Sequence, residues 1–405
     1  MRASGSSKEV TAKFILRALH HKNYRLFFGG QSISLIGTWM QQIAMSWLVY
    51  RLTNSALLLG IVGFSSQIPV FLLASIAGVY ADRWNRHRML VVTQTLSMIQ
   101  ALTLAFLALT GTIHVWQIIA LSIAIGVVNA FDMPTRQSFI VEIVDKAEDL
   151  GNAIALNSFM FNGARLIGPA IAGILIALLG EGICFLINGL SFVGIIMALL
   201  AIKVPKRKKA AHTSRLWHDL KEGYSYAFGF APIRYILLQL GLMSFMGMSY
   251  AVLMPIFAKD ILHGGPHTLG FLMAASGIGA LTGSVYLASR QTILGLGRLI
   301  AYASVIFGMG IIAFSFSKIL IVSLSMMFLT GFGMIVQIAS GNTILQSIVE
   351  EDKRGRVMSI YTTAINRHGA NRQPLCRCNG VLDRRPQHTY CEWCGLHHRF
   401  DALYP

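Results

Sequence analysis

The chain has 405 residues, 54% of them hydrophobic and only 13% charged, with a net charge of +17 at pH 7 and a mean hydropathy of +0.59. So much apolar surface cannot be hidden in one water-soluble core, which excludes an ordinary soluble domain and makes lipid the solvent. The positive charge does not signal nucleic acid, whose readers gather basic residues on one folded face, because here the basic residues are spread over short loops.

Residues 1–23 form a leader with five basic residues and no signal-peptide core before a small-residue cleavage site. Ten apolar stretches follow, each close to the ~20 residues that carry a helix across ~30 Å of hydrocarbon. They are expected at 26–50, 56–80, 89–111, 114–132, 152–178, 182–202, 235–258, 268–289, 294–316 and 319–342. The leader and every second loop together hold 24 Lys and Arg, against three (Arg51, Lys259 and Lys318) in the loops between. This asymmetry is the positive-inside pattern, so the basic loops and the N-terminus are expected in the cytoplasm. An anionic inner leaflet adds attraction for such loops.

The longest break, 203–234, carries Lys206, Arg207, Lys208 and Lys209 and then a stretch from Leu216 to Phe230 suited to the membrane surface. It divides a six-helix bundle at 24–202 from a second bundle at 235–365. An internal repeat supports the division. Gln137-Ser-Phe-Ile-Val-Glu-Ile-Val-Asp-Lys resembles Asn342-Thr-Ile-Leu-Gln-Ser-Ile-Val-Glu-Glu at an offset of 205, and Gly78-Val-Tyr-Ala-Asp-Arg resembles Gly283-Ser-Val-Tyr-Leu-Ala-Ser-Arg at nearly the same offset. Two parallel halves of this kind are used by transporters that rock about a central site.

The first span contributes Trp39, Gln41, Gln42 and Trp47, and the second has Gln67 just before Pro69. Trp39, Gln42 and Gln67 are candidate cavity residues, since aromatic and amide groups suit a large amphipathic guest, whereas Trp47 suits an interfacial aromatic belt. The fifth span holds Asn157, Asn162, Gly163, Arg165, Gly168, Pro169 and Gly173. Its glycines are candidates for close helix approach. Arg165 is the basic residue placed well inside a span, which is costly unless it meets a wet cavity or a partner. It either binds an anionic cargo group or holds a network with Asn157 and Asn162. Asp132, at the end of the fourth span, is its nearest candidate partner, with Arg136 competing, and is also the nominee for ion coupling.

The loop after the second span reads Gly78-Val-Tyr-Ala-Asp82-Arg83-Trp-Asn85-Arg86-His-Arg88. It resembles the major facilitator superfamily signature G-x-x-x-D-[RK]-x-G-[RK]-x-[RK], with Asn85 in the second glycine place, where a left-handed turn would be tolerated by Asn. With the first-span block, the Asn-x7-Arg-x-x-Gly-Pro block of the fifth span and Asp219-Leu-Lys-Glu-Gly-Tyr, the resemblance covers Tyr24 to Ile365. It points to bacterial efflux members like the enterobactin exporters and their drug-export relatives. The resemblance implies an all-α two-bundle fold in the inner membrane and export of small amphipathic molecules against protons. It also implies a gate in which Asp82 and its neighbours lock the cytoplasmic side against the eleventh helix.

The repeat calls for an eleventh span near 357–383 and a twelfth behind it. The chain begins the eleventh at Gly355 but changes character at Asn366, giving ten complete helices, a truncated eleventh and no twelfth. Residues 366–405 carry six Arg, no Lys, four His and four Cys. Cys376, Cys378, Cys391 and Cys394 offer ligands for zinc, a disordered basic tail is a second reading, and an out-of-frame stretch in place of the last helices is the favoured third. These leave two alternatives to transport, a transport-inactive truncated protein and a metal-responsive sensor. No Gly-rich nucleotide cradle followed by Lys and Ser or Thr is present, so no ATPase or other enzyme is expected, and the partners are lipid, a small-molecule cargo and protons.

Overall fold

The computed structural model describes residues 17–144, 147–202, 225–226, 228–243, 250–290 and 294–349, and the side chains of 74–76, 78–79, 81–83 and 147 lie outside that description. Every element among the described residues is helical. In chain order they are α1 (Lys22–Thr53), α2 (Ala56–Arg83), α3 (Arg86–Leu109), α4 (Val115–Ile143), α5 (Ala147–Leu179) and α6 (Glu181–Ala201). The second part has α7 (Ala231–Leu242), α8 (Tyr250–Ile256), α9 (Pro266–Ala288), α10 (Leu296–Phe316) and α11 (Leu320–Ile348).

Eight of these helices are long and apolar enough to cross a membrane. α1 is longer than most at 32 residues but is the least apolar of the long helices. Their outward faces would be untenable in water: Leu178 is 74% exposed, Ile321 75% and Phe106 65%. Lipid removes that cost.

Turn chemistry at the ends explains several boundaries. Asn85 caps α3 through its side-chain oxygen, which accepts from the Arg88 N–H at 3.0 Å. Its backbone is extended, with φ −70° and ψ 109°, so the left-handed turn expected there is not formed, and Asn serves instead as an N-cap. Gly180 and Gly295, at φ +81° and +80°, supply the positive φ that starts α6 and α10.

The fourth span is expected to end at 132, yet α4 runs on to Ile143. Pro134 lies inside it and breaks one ladder hydrogen bond without ending the helix. The Thr135 hydroxyl donates to the Phe131 carbonyl at 2.7 Å across the same turn. The seventh span, expected at 235–258, is α7 followed by α8 and a π-turn at Phe257–Ile261, with 244–249 outside the described residues. The eleventh span and the Cys-rich tail also lie outside them, and with them Cys376, Cys378, Cys391 and Cys394.

The described residues fall into two compact units, one drawn from Met1–Met45 and Leu72–Lys209, the other from Ser46–Phe71 and Ala210–Pro405. In the first, Tyr24, Phe27, Leu90, Phe139, Ile143, Phe192 and Leu199 share one core, and Phe27 meets Phe139 edge-on at 5.8 Å. The chain leading into α1 is fastened to the start of α5. Asp149 takes both Arg17 and His21, Asn152 Oδ1 accepts from the Ala18 N–H at 2.9 Å, and the Tyr24 hydroxyl donates to the Ala153 carbonyl at 2.8 Å.

In the second unit α9, α10 and α11 pack through small residues. A Cβ at Gly279 would run into the Phe328 carbonyl, and one at Gly331 into the Ser276 carbonyl, so α9 and α11 touch backbone to backbone twice. Close approach of this kind replaces the hydrophobic drive that lipid cannot supply between helices. The Tyr50 hydroxyl donates to Asp260, and Lys259 Nζ donates to Asn54 Oδ1 at 2.7 Å while lying 5.3 Å from the Tyr50 ring centroid.

The repeat is visible in the helix bounds. α4 and α11 both have 29 residues, and Val115 and Leu320, like Ile143 and Ile348, are separated by 205 positions. α2 and α9 end at Arg83 and Ala288 with the same separation.

Candidate transport site

Arg165 stands on α5 opposite Trp39 of α1. Its guanidinium carbon is 5.7 Å from the centroid of the Trp39 ring, and Phe161, one helical turn earlier, meets the same ring edge-on at 5.7 Å and 77°. The approach is set by Gly168, where a Cβ would come within 2.6 Å of Trp39 Cβ and 2.8 Å of the Ile36 carbonyl. Pro169 adds a local effect, since it cannot donate the N–H that an uninterrupted helix would send to the Arg165 carbonyl. The outcome is a half-buried cation against an aromatic face, with Phe161 39% exposed beside it. Such a surface can receive an anion through the guanidinium and an apolar ring through the aromatics.

Asp132 is 5% exposed and does not go to Arg165. Its Oδ1 accepts from the Thr93 hydroxyl and from Gln94 Nε2, each at 2.8 Å, and its Oδ2 lies 3.5 Å from Arg136 one turn along α4. The i, i+4 neighbour therefore wins the competition, because it shares a helix face with Asp132. Gln94 Oε1 is left buried without a partner among the described residues.

The remaining candidates are scattered. Gln42 and Gln67 are exposed, Asn157 is half-buried, and Asn162 turns back to the Ser158 carbonyl of its own helix at 2.9 Å. Gly173 is buried, whereas a Cβ at Gly163 would meet nothing within 4 Å. In the signature loop, Arg86 pairs with Glu142 at 2.6 Å and Arg88 is exposed. Gly78, Asp82 and Arg83 belong to α2 by backbone, and their side chains lie outside the description.

One cluster escaped the sequence reading. Gln41 Nε2 donates to Gln100 Oε1 at 3.0 Å, Asn188 Nδ2 donates to Gln41 Oε1 at 2.7 Å, and Gln100 Nε2 reaches the Leu121 carbonyl at 3.4 Å. These amides join α1, α3, α4 and α6 inside the first unit. The available signal was the polar run Thr93, Gln94, Ser97 and Gln100 on α3, all of which are buried. Its three- and four-residue spacing marks one helix face turned inward.

A family model described as transmembrane secretion effector matches residues 15–370. The chain belongs to that family, within the major facilitator superfamily. It is an integral membrane protein. Among its relatives, the staphyloferrin A transporter of Staphylococcus aureus is 27% identical over 339 residues, covering 83% of this chain and 84% of that protein. The multidrug efflux pump Tap of Mycolicibacterium fortuitum is 25% identical over 373 residues, covering 89% and 87%. A bacterial homologue of the human lysosomal transporter Spinster, solved inward-facing and unoccupied, superposes with a TM-score of 0.70 at 12% identity over 87% of this chain and 81% of that one. A D-xylose–proton symporter gives 0.70 at 14% identity over 92% and 95%. These two likenesses establish the fold alone.

Proposed function

We propose that this chain is a secondary transporter of the inner membrane that exports small amphipathic molecules, siderophore-like or drug-like, in exchange for protons by alternating access. The observation that carries the reading is Arg165 against Trp39 and Phe161, a half-buried cation on an aromatic face inside a membrane bundle. An amphipathic cargo offers an anionic group to the guanidinium and an apolar body to the rings. A siderophore transporter and a multidrug efflux pump among the relatives support the cargo class.

In this reading Asp132 is the coupling carboxylate, held by Thr93, Gln94 and Arg136. Asp82, Arg83, Arg86 and Arg88 serve the gate at the end of the basic loops, which faces the cytoplasm. Trp39, Phe161 and Arg165 receive cargo, and Gln42, Gln67, Asn157 and Asn162 line its route.

The test is accumulation of fluorescent amphipathic compounds in cells lacking or expressing the chain, repeated for Arg165→Ala and Asp82→Asn. Expression should lower accumulation, and both substitutions should raise it again at equal protein level in the membrane. Equal accumulation in all strains removes the export reading.

A further inference from the structure

The two halves differ at one pair of buried positions that the repeat places in register. Shifting α4 by 205 residues sets Asp132 on Gln337, Thr135 on Ser340, Arg136 on Gly341 and Gln137 on Asn342, within helices whose two ends coincide under the same shift. Burial follows the register, since Asp132 and Gln337 are 5% and 4% exposed and Thr135 and Ser340 are both fully buried. In the first half the carboxylate is matched by the Arg136 guanidinium. In the second an amide replaces the carboxylate, and glycine replaces the arginine.

Removing a guanidinium leaves space and an acceptor without its donor, and both are present. A cavity of about 10 Å³ opens among Ile236, Gln239 and Leu240 of α7, Ile300 of α10, and Gln337 and Gly341 of α11. That is room for the centre of one water molecule. Gln337 Oε1 is buried and has no partner among the described residues. Gln239, on the opposite wall, gives its Nε2 hydrogen bond to Ser304 at 2.8 Å, which fixes a second amide beside the cavity.

We propose that Gln337, Gly341 and Gln239 form a binding site for a single water molecule that occupies the place of the Arg136 guanidinium in the first half. The ligand donates a hydrogen bond to Gln337 Oε1 and is neutral, because no carboxylate is among the described residues that line the cavity. A buried water of this kind makes ~3 hydrogen bonds and ties together the elements around it. Here it would bridge Gln239 of α7 and Gln337 of α11, against Ile300 of α10. If Asp132 is the coupling group, a step that rests on the proton-exchange reading, then of this repeat-related pair it alone can change charge, and Gln337 is a permanent likeness of its protonated form. The water site itself does not depend on that reading.

Hydroxyl-radical footprinting of the full chain by X-ray pulses in ¹⁸O water tests the site directly. Leu240 and Leu237 lie one turn apart on α7 and are equally buried, at 4% and 3%, but only Leu240 lines the cavity. Leu240 should be labelled several-fold more than Leu237, and Gln337→Leu should abolish the difference. Equal labelling of the two in the unsubstituted protein overturns the proposal. The register is tested by recreating the charged pair: Gln337→Asp should lower the thermal midpoint in detergent by about 5 °C, and adding Gly341→Arg should recover at least half of that loss. A double variant that falls as far as the two single losses added together overturns the assigned place of the water.

Discussion

The Arg165 guanidinium rests on the face of Trp39, 5.7 Å from its ring centroid, and Phe161 closes on the ring edge at the same distance. A cation on an aromatic face contributes about 0.5–2 kcal/mol depending on its desolvation, equivalent to roughly 2- to 30-fold in affinity. Trp39→Ala should therefore weaken cargo affinity several-fold while leaving the charge in place. Arg165→Lys should be worse than a conservative exchange suggests, because an ammonium neither stacks on the ring nor offers the planar fork. Binding of an anionic and a neutral fluorescent amphipath to purified protein separates the two effects. Arg165→Lys should lose the anionic probe preferentially, and an equal loss of both would assign Arg165 to packing.

Asp132 gives a second prediction, on coupling rather than binding. Asn at this position accepts from the same Thr93 and Gln94 donors but carries no charge toward Arg136. Asp132→Asn should abolish cargo movement driven by an imposed proton gradient in proteoliposomes while cargo binding stays within about 3-fold, a cost below ~1 kcal/mol. The half-buried Arg136 then loses its partner, so some loss of stability is expected too. Arg136→Gln in the same background should recover stability without recovering transport. Gradient-driven movement by Asp132→Asn would place the coupling group elsewhere.

Much of this architecture could be read from the chain because the bilayer imposes a length and an apolar composition on each helix. Most helix positions follow from those two constraints. The same constraint explains the misses. Apolar character says where a helix enters lipid and not where it stops, so the final turns of α4, from Met133 to Ile143, read as loop in the sequence although Arg86 of α3 is pinned there by Glu142. Arg165 is legible because a charge within an apolar span is costly in lipid and so marks itself. Its contact with Trp39 is not, because which faces of α1 and α5 meet depends on Gly168, and a glycine reads alike whether it packs or not. The Gln41, Gln100 and Asn188 cluster was hidden for a related reason: neutral amides lower hydropathy only slightly, so a polar stripe on a buried face passes for an ordinary span.

That cluster yields a third prediction. Asn188→Leu leaves Gln41 Oε1 without its 2.7 Å donor and Ser191 without the Asn188 Oδ1 contact at 3.3 Å. An unsatisfied buried acceptor costs ~1–3 kcal/mol in water-soluble proteins, but hydrogen bonds between membrane helices average ~0.6 kcal/mol in double-mutant cycles. The smaller figure governs here, since a loosened helix finds other partners in the bundle. Asn188→Leu should thus lower the thermal midpoint by only about 1–2 °C. The pair Gln41→Leu and Asn188→Leu should cost less than the sum of the singles, because each removes what the other leaves unpaired. Strict additivity would mean that the two amides do not interact.

Glycines in the two units should respond to the same substitution with opposite sign. At Gly331 a Cβ would collide with the Ser276 carbonyl, a backbone atom that cannot rotate away, and Gly279 makes the reciprocal approach to the Phe328 carbonyl. Gly331→Ala must separate α9 from α11 or bend one of them, and overpacking of that kind costs about 1–3 kcal/mol. At Gly163 the added methyl meets nothing within 4 Å, so only the helix-propensity gain of Ala over Gly remains, at most about 1 kcal/mol. Thermal midpoints of the purified protein in detergent should therefore fall by several degrees for Gly331→Ala and hold or rise for Gly163→Ala. A fall at Gly163 as large as that at Gly331 would show that α5 makes a tight contact at this point after all.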